Sequence, residues 1–298
     1  MTDTLTVAAA QFEVAESPDF GAFAAQVTAC LDAAAGARLV VFGELMTTGL
    51  ATTRQGWRIA DLPDLFARVP AFTDDYLALF GTEARSREQV IVGGSHLLEA
   101  PGGLLNVAHV FFPDGRVERH AKTLLFPAER IWRTVEGDDY GVLDVDGVGV
   151  GIATCYEAEV PEIPSILAAR GAEVLVVPSY TFTEAGFHRV RHSVAARCVE
   201  NQVLGVHCST YAEDLAPLAP AWARSSVLAP PDTGFPPDGV VAEAGTNRRE
   251  VIVATLDLAA LREVRRTGAA PTWHDRHRRA DLFAAYGVQG LPTPVEAP

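Results

Sequence analysis

The sequence has few cysteines and no excess of basic residues. Its four cysteines, Cys30, Cys155, Cys198 and Cys208, show none of the short paired spacings of a disulfide-rich secreted scaffold. Only 24 Lys and Arg stand against 38 Asp and Glu, a net charge of −14, which argues against general nucleic-acid binding. No run approaches the roughly 20 apolar residues that cross a bilayer, and residues 1–4 do not resemble a secretory signal. We therefore expect a cytoplasmic protein with reduced thiols.

The sequence also lacks a linker, a low-complexity tract and an internal repeat. With 298 residues, 48% of them hydrophobic, it can bury a substantial core. We predict one domain over residues 1–298, with a C-terminal tail from about 266. One basic cluster near the end favours a solvated or intersubunit salt-bridge face, and it comprises Arg265, Arg266, Arg276, Arg278 and Arg279.

Apolar periodicity predicts more strands than helices. Predicted strands cover 5–12, 39–43, 90–98, 104–112, 117–124, 148–153, 174–177, 203–209, 226–228, 240–242 and 251–256. Predicted helices begin after Ser17 as N-cap, cover 72–87, begin near Pro161, cover 187–201 and include a short one before the tail. Tight turns at 113–115 and 146–147 join adjacent strands, which argues against a strictly alternating parallel sheet. The pattern favours an α/β fold, with two mixed β-sheets packed on each other and helices on the outer faces.

Three residues with reactive side chains lie at or just beyond the ends of predicted strands: Glu44, Lys122 and Cys155. Cys155 occupies a strand-to-helix corner, a geometry that exposes a nucleophile beside a free backbone N–H. A free thiol is only a few per cent ionised at neutral pH, so it needs a base or a nearby cation. A carboxylate can take its proton, and an ammonium can stabilise the thiolate and the oxyanion that forms on attack. Together these three residue types suffice for acyl transfer.

Four blocks of the sequence resemble those of the nitrilase superfamily of carbon–nitrogen hydrolases. Residues 41–44 resemble the block with the glutamate base, although Gly43 stands where Pro is usual. Residues 122–126 resemble the lysine block, and Glu129 and the turn 136–138 follow it. Residues 151–162 resemble the nucleophile block, and 178–179 with 195–201 resemble the loop and helix after it. The lysine and the cysteine are 155 − 122 = 33 positions apart, as expected, and the resemblance covers roughly residues 5–285, including 278–283.

The resemblance implies an αββα sandwich that dimerises through helices near the nucleophile and uses no metal or organic cofactor. Candidate interface helices are 161–170 and 187–201, with the Arg-rich tail as a clasp. The implied catalytic residues are Glu44 as base, Cys155 as nucleophile forming a thioester, and Lys122, with the backbone N–H of Tyr156, stabilising the oxyanion.

Further residues are candidates for supporting roles. Glu129 is expected to position the substrate or the catalytic lysine, whereas Glu157 either lines the site or holds the corner at the nucleophile. Trp132, in the segment 130–132, and Tyr180, in the loop 180–183, are expected to shape the acyl pocket. These assignments come with the resemblance, and no sequence rule converts them into one substrate.

Several functions stay open at this point. Tyr156 follows the nucleophile where true nitrilases have Trp, which favours amides over nitriles. An N-carbamoyl amine or amino acid is the alternative substrate, because it needs only a small change in the acyl pocket. A catalytically silent binding subunit with the same fold is a third possibility, against which the intact Glu44, Lys122 and Cys155 argue.

Other reactive residues favour structural roles. His188 and His192 are four apart on a predicted helix, a zinc-compatible spacing, but Arg189 follows His188 and no third ligand is evident. Cys198 and Cys208 fall in apolar patterns typical of core packing. The glycines 147, 149 and 151 lie within a predicted strand, so they do not form a dinucleotide-binding loop.

Overall fold

The protein is described by a computed structural model that covers residues 2–53, 59–213 and 217–286. The last residues of the predicted tail, 287–298, lie outside this part of the chain. Among the described residues, thirteen strands form two sheets. The strands are β1 Thr4–Gln11, β2 Leu39–Phe42, β3 Val90–Ala100, β4 Gly103–Phe111, β5 Val117–Ala121, β6 Thr134–Val135, β7 Val142–Val145, β8 Val148–Ile152, β9 Val174–Tyr180, β10 Leu204–Thr210, β11 Ser226–Leu228, β12 Val240–Glu243 and β13 Glu250–Asp257.

Both sheets are mixed, as the sequence predicts. The first has the order β13-β1-β2-β3-β4-β5, with β6 paired to β4, and its parallel pairs are β1–β2, β2–β3 and β4–β6. The second has the order β12-β11-β10-β9-β8-β7, and its parallel pairs are β8–β9 and β9–β10. Parallel pairing brings the carboxyl ends of neighbouring strands to one edge of a sheet, where sites commonly form.

Helices cover the outer faces of the sheets, which confirms the predicted αββα sandwich. The α-helices are α1 Phe20–Ala33, α2 Leu62–Arg68, α3 Thr73–Arg87, α4 Glu162–Ala169, α5 Glu184–Asn201, α6 Leu258–Thr267, α7 Thr272–Arg278 and α8 Ala280–Ala285. Side chains of β1 and β2 alternate between two cores: Val7 and Val41 face the second sheet, while Ala8 and Phe42 pack against α1 and α3. Helices α4 and α5 pack on the outer face of the second sheet.

Among the boundaries predicted from the sequence, the start of the first helix and the end of β9 are wrong. The first helix begins at Phe20 and not after Ser17, because Asp19 is the residue that caps it: its carboxylate accepts from the Ala22 N–H at 2.8 Å. Strand β9 does not end at 177 but continues through Pro178 to Tyr180, in parallel register with β10. Proline is rare in the interior of a strand because it has no N–H to donate, so the sequence predicts a strand end at Pro178.

The Arg-rich segment is largely folded onto its own chain. Arg265 donates to the backbone oxygens of Gln202 and Ala172, and Arg276 donates to Ser165 Oγ and Asn201 Oδ1. Arg266 and Arg278 instead form exposed ion pairs with Glu263 and Asp275. The predicted solvated face therefore describes only part of it, since α7 is held against α4 and α5. None of the helices formed by the described residues is long and apolar enough to span a bilayer.

Candidate active site

Glu44, Lys122 and Cys155 come together at one cavity of about 290 Å³. The Lys122 ammonium lies between two carboxylates: Nζ is 2.8 Å from Glu44 Oε1 and 2.6 Å from Glu129 Oε2. The Cys155 thiol lies 3.7 Å from the backbone oxygen of Tyr180, to which it donates. All four side chains are buried. Three residues distant in sequence and one nearby acid thus form one compact charged cluster beside a thiol.

Glu44 is positioned by the end of β2 and by a close approach of the two sheets. A Cβ on the preceding residue, Gly43, would lie 2.6 Å from the backbone nitrogen of Thr210, so a residue without a side chain is needed there. The following residue, Leu45, has φ 54°, and its N–H is held by Ser95 Oγ at 2.8 Å. Such a left-handed non-glycine residue is uncommon and marks a constrained site.

Lys122 follows β5 directly, and its main chain is fixed on both sides. Its backbone N–H donates to the backbone oxygen of Asn106 in β4 at 2.9 Å, and its backbone oxygen accepts from the Gly137 N–H at 2.8 Å. The sequence predicts a strand up to residue 124, but β5 ends at Ala121. The lysine therefore leaves the sheet and points its side chain into the cluster.

Cys155 begins a 3-10 helix, Cys155–Glu159, immediately beyond β8. Its φ is 52°, so Cys155, like Leu45, has a left-handed backbone conformation. The residue before it, Thr154, donates its N–H to Glu157 Oε2 at 2.6 Å. The predicted strand-to-helix corner is therefore present, although the helix after the strand is a short 3-10 turn before α4.

Burial and charge act on the titrating groups in opposite directions. Burial, helped by the charge of Glu129, raises the pKa of Glu44 although the Lys122 ammonium lowers it. For Lys122 burial alone would lower the pKa, but Glu129 and Glu44 outweigh it and hold the pKa well above its usual value. Burial and the nearby Glu44 charge raise the pKa of Cys155 well above that of a free thiol. These surroundings thus favour the ammonium form of Lys122 and the protonated form of the Cys155 thiol, and they make the Glu44 carboxylate a stronger base than usual.

Asn106 is a member of the cluster that sequence reasoning missed. Its Nδ2 donates to Glu44 Oε1 at 2.9 Å and to Glu129 Oε1 at 3.2 Å. The only signal in the sequence is one amide residue inside the apolar strand β4, and a buried amide needs partners. Glu129 itself is fixed further by the Phe126 N–H, which donates to Oε2 at 2.8 Å.

The remaining predicted site residues lie around this cluster in different ways. Trp132 is buried, lines the cavity and packs with its ring 4.3 Å from that of Phe66. Tyr180 also lines the cavity, and its backbone contacts Glu44 and Cys155: its N–H donates to Glu44 Oε2 at 2.9 Å, and its oxygen accepts from the thiol. Tyr156 packs edge-on against Phe126, at 5.8 Å between ring centroids. Glu157 lies behind the nucleophile and accepts four hydrogen bonds.

The cavity wall contains a charged pair that sequence reasoning did not single out. Arg189 of α5 donates Nε to Glu159, which belongs to the same 3-10 helix as Cys155. The Arg189 side chain is 51% exposed and the Glu159 side chain 11% exposed. Arg189 therefore presents a cation at the cavity wall, and its guanidinium lies 5.8 Å from the centre of the Phe126 ring.

The two histidines of α5 and the two core cysteines make no hydrogen bond to the cluster. His188 is 44% exposed on α5, with its ring against Phe187 and 5.8 Å from that of His192. Within residues 2–53, 59–213 and 217–286, no three His, Cys, Asp or Glu side chains form a group suited to a metal ion. Cys198 and Cys208 are fully buried in the packed core, as their sequence pattern predicts.

Comparison with known proteins points to one family. The model of the carbon-nitrogen hydrolase family matches residues 6–266. The probable hydrolase YhcX of Bacillus subtilis is 34% identical over 274 residues, which are 90% of this chain and 53% of that protein, so the chain spans about half the length of this relative. The human omega-amidase NIT2 is 28% identical over 252 residues, 77% of this chain and 86% of that protein.

Solved structures share the fold. A carbon-nitrogen hydrolase from Helicobacter pylori G27 superposes with a TM-score of 0.78 at 19% identity, covering 96% of this chain and 99% of that one. Saccharomyces cerevisiae Nit3, a nitrilase superfamily member, superposes with a TM-score of 0.73 at 24% identity, covering 89% and 94%.

Proposed function

The chain belongs to the carbon–nitrogen hydrolase family, and from this premise we propose that it hydrolyses a small amide through a thioester on Cys155. The observation that carries the proposal is the contact of Lys122 Nζ with Glu44 Oε1, at 2.8 Å, in the cavity that Cys155 lines. A base, a cation and a thiol at one cavity are what acyl transfer to sulfur requires.

The first half-reaction transfers the acyl group to sulfur. Glu44 takes the proton of the Cys155 thiol, and the thiolate attacks the amide carbonyl carbon. Lys122 and the backbone N–H of Tyr156, in the first turn of the 3-10 helix, stabilise the oxyanion. As the carbon–nitrogen bond breaks, protonated Glu44 gives its proton to the leaving amine or ammonia. Its raised pKa suits both transfers, because a catalytic acid–base works best with a pKa near the operating pH.

The second half-reaction releases the acid. Glu44, again a carboxylate, takes a proton from water, and the hydroxyl attacks the thioester carbonyl. Lys122 stabilises the second oxyanion, and the thiolate leaves and recovers the proton from Glu44. Glu129 and Asn106 act on this chemistry by fixing the reacting side chains, since Glu129 contacts Lys122 and Asn106 contacts Glu44.

The substrate class is tested by a panel assayed for ammonia release. It contains simple amides, N-carbamoyl amines and amino acids, and nitriles, with amides expected to react fastest. Monoamides of dicarboxylic acids belong in the panel because relatives are omega-amidases and because Arg189 gives the cavity wall a cation. Faster turnover of N-carbamoyl compounds would favour the alternative function. A protein that turns over nothing, and whose Cys155 is not selectively labelled by a thiol-reactive amide analogue, would be a silent binding subunit.

The thioester is tested by partition with hydroxylamine. Hydroxylamine is a small, strong nucleophile, so it should replace water in the second half-reaction and yield a hydroxamic acid, while the amine released first is unchanged. A metal-dependent hydrolase that adds water directly would form no hydroxamate and would lose activity with a chelator. That combined result would contradict the Cys155 mechanism.

We also propose that residues 1–298 act as one hydrolase domain, in the cytoplasm, as a homodimer or larger assembly. All four cysteines are free, consistent with a reducing compartment. Helices α4 and α5 lie on the outer face of the second sheet, where a second copy can pack against them. The mass measured by light scattering at micromolar concentration should exceed the chain mass of 31.8 kDa. A monomeric mass would contradict the assembly.

A further inference from the structure

Glu157 is a fully buried carboxylate with four donors around it. Its Oε1 accepts from the Thr123 N–H at 2.8 Å and from the Thr123 hydroxyl at 2.6 Å. Its Oε2 accepts from the Thr154 N–H at 2.6 Å and from His120 Nε2 at 2.8 Å. Each carboxylate oxygen therefore holds two hydrogen bonds, and Glu157 is not among the described residues that line the cavity.

The donors belong to the two segments that hold the catalytic cation and the nucleophile. Thr123 directly follows Lys122, and Thr154 directly precedes Cys155. These segments come from different sheets, since Lys122 follows β5 of the first and Cys155 follows β8 of the second. One side chain thus joins the two sheets at the point where the lysine and the cysteine leave them.

The segment before the nucleophile needs such support because Cys155 is in a left-handed conformation, with φ 52°. Strained backbone of this kind persists only where its surroundings hold it. The Glu157 carboxylate binds the N–H of the residue before Cys155, and the Glu157 N–H donates back to the Thr154 oxygen at 3.1 Å. The reciprocal pair fixes the turn in which the thiol is presented.

Only an ionised carboxylate can accept from all four donors, because a protonated acid or an amide would present a hydrogen to one of them. Burial on its own would raise the pKa of Glu157, but His120 and Thr123 outweigh it and the pKa is lowered. Thr123 gives its own hydroxyl hydrogen to Glu157, so its oxygen accepts from the Tyr140 hydroxyl at 2.7 Å. The network therefore has a fixed direction, from Tyr140 through Thr123 to Glu157.

We propose that Glu157 is a positioning residue that sets Lys122 and Cys155 relative to each other, with Thr123 and His120 acting through it. The inference rests on the proposed function, in which the ammonium stabilises the charge that develops on the carbonyl oxygen when the thiolate attacks the carbonyl carbon. A shift of about 1 Å between such groups can cost roughly 100-fold in rate. Glu157 touches neither the cavity nor the reacting atoms, so its effect should fall on kcat.

The test compares Glu157→Gln, Thr123→Val and Thr123→Ser with a matched control, Glu173→Gln. Glu173 is also largely buried and paired with Arg262 through both oxygens, but it lies at the far end of β9 from Tyr180. We expect Glu157→Gln and Thr123→Val to lower kcat by about 10- to 100-fold with KM changed less than about 3-fold. Thr123→Ser, which keeps the hydroxyl, should restore most of kcat, and Glu173→Gln should keep kcat while lowering the melting temperature.

A second readout needs no turnover. Chloroacetamide alkylates a thiol when the thiolate displaces chloride, so its rate at Cys155, measured by mass spectrometry, reports how the thiol is set for attack. We expect slower alkylation in Glu157→Gln and Thr123→Val and a wild-type rate in Thr123→Ser and Glu173→Gln. If Glu157→Gln does not fold, Thr123→Val carries the test, because it replaces a hydroxyl by a methyl of similar size.

The outcomes separate the inference from the proposed function. A wild-type protein that hydrolyses no amide refutes the function, while the alkylation rates still decide the positioning role. Folded Glu157→Gln and Thr123→Val proteins with wild-type kcat and wild-type alkylation, and only a lowered melting temperature, would overturn the inference. Equal losses in Thr123→Val and Thr123→Ser would overturn it as well, because the hydroxyl to Glu157 would then be irrelevant.

Discussion

The side-chain nitrogen of Asn106 donates to Glu44 Oε1 at 2.9 Å, the oxygen that also accepts from the Lys122 ammonium. The same nitrogen donates to Glu129 Oε1 at 3.2 Å. One neutral donor and one cation therefore lie between two buried carboxylates. Without both, the two carboxylates would repel each other.

Asn106→Leu should lower activity and stability together. It removes one donor from Glu44, which keeps Lys122 and Tyr180, and it removes the Asn106 donor from Glu129 Oε1. A buried polar atom that loses its partner costs about 1–3 kcal/mol. Asn106→Asp should be worse, because it adds a third carboxylate to the cluster, with an expected loss of about 3–5 kcal/mol typical of an uncompensated buried charge. Urea unfolding and kcat/KM provide the measurements.

Gln89→Leu is the matched control for Asn106→Leu. Gln89 is buried next to the same sheet and donates to the backbone oxygens of Ala34 and Ala37, away from the cavity. We expect a similar loss of stability without a loss of kcat. Equal activity of the folded Asn106→Leu and Gln89→Leu proteins would show that the bridge does not matter for catalysis.

The sequence predicts the sandwich and the three central residues because each leaves a local signal. Continuous apolar strands precede Glu44 and Cys155, and a reactive side chain at a strand end stands out. Asn106 and Glu159 could not be found in this way. Their roles depend on which segments the fold brings together, and the residues adjacent in sequence do not indicate these contacts.

The predicted ends of β9 and α1 are wrong for a related reason. The sequence predicts that Pro178 ends β9, but the pairing of β9 with β10 continues through this proline to Tyr180. The longer strand brings the Tyr180 N–H to Glu44. Similarly, Ser17 and Asp19 are both good helix caps, and only the folded chain decides that Asp19 serves. Local propensities left both choices open, and tertiary contacts made them.

Lys122→Arg should be almost as damaging as Lys122→Ala, with kcat reduced more than about 100-fold. Lys122 Nζ contacts the Glu44 and Glu129 carboxylates at 2.8 and 2.6 Å, and the lysine side chain is only 1% exposed. A planar guanidinium cannot occupy the same volume. Lys122 is the only lysine in the 298 residues, and every other basic residue counted with it is arginine. Near-normal kcat in the folded Arg variant would refute the oxyanion role.

Cys155→Ala and Cys198→Ala should separate catalysis from stability. Removing the Cys155 sulfur should abolish turnover and leave the fold intact, because the thiol faces a cavity. Removing the Cys198 sulfur should cost about 1–2 kcal/mol of unfolding free energy, as for small core truncations, with activity largely kept. A folded Cys198→Ala protein without activity would show that the nucleophile is wrongly assigned.

The pH dependence of kcat/KM should show an acid limb above the ordinary pKa of a glutamate, about 4.3. Glu44 must be a carboxylate to accept the thiol proton, so activity falls as the pH drops through its pKa. Burial raises that pKa, and the limb therefore moves to higher pH. The thiol adds no limb near pH 8.5, because the pKa of Cys155 is also raised and the proton leaves only by transfer to Glu44.

Removing a neighbouring charge should shift the acid limb along the pH axis, in a direction set by the sign of that charge. Glu129 raises the pKa of Glu44, whereas the Lys122 ammonium lowers it. In the residual activity of Glu129→Gln the acid limb should therefore move to lower pH, and in that of Lys122→Ala to higher pH. Rates are measured with a substrate that does not titrate, and circular dichroism follows folding across the range. If both variants shifted the limb in the same direction, or if the wild-type limb lay at or below about 4.3, Glu44 could not be the group whose ionisation controls the reaction.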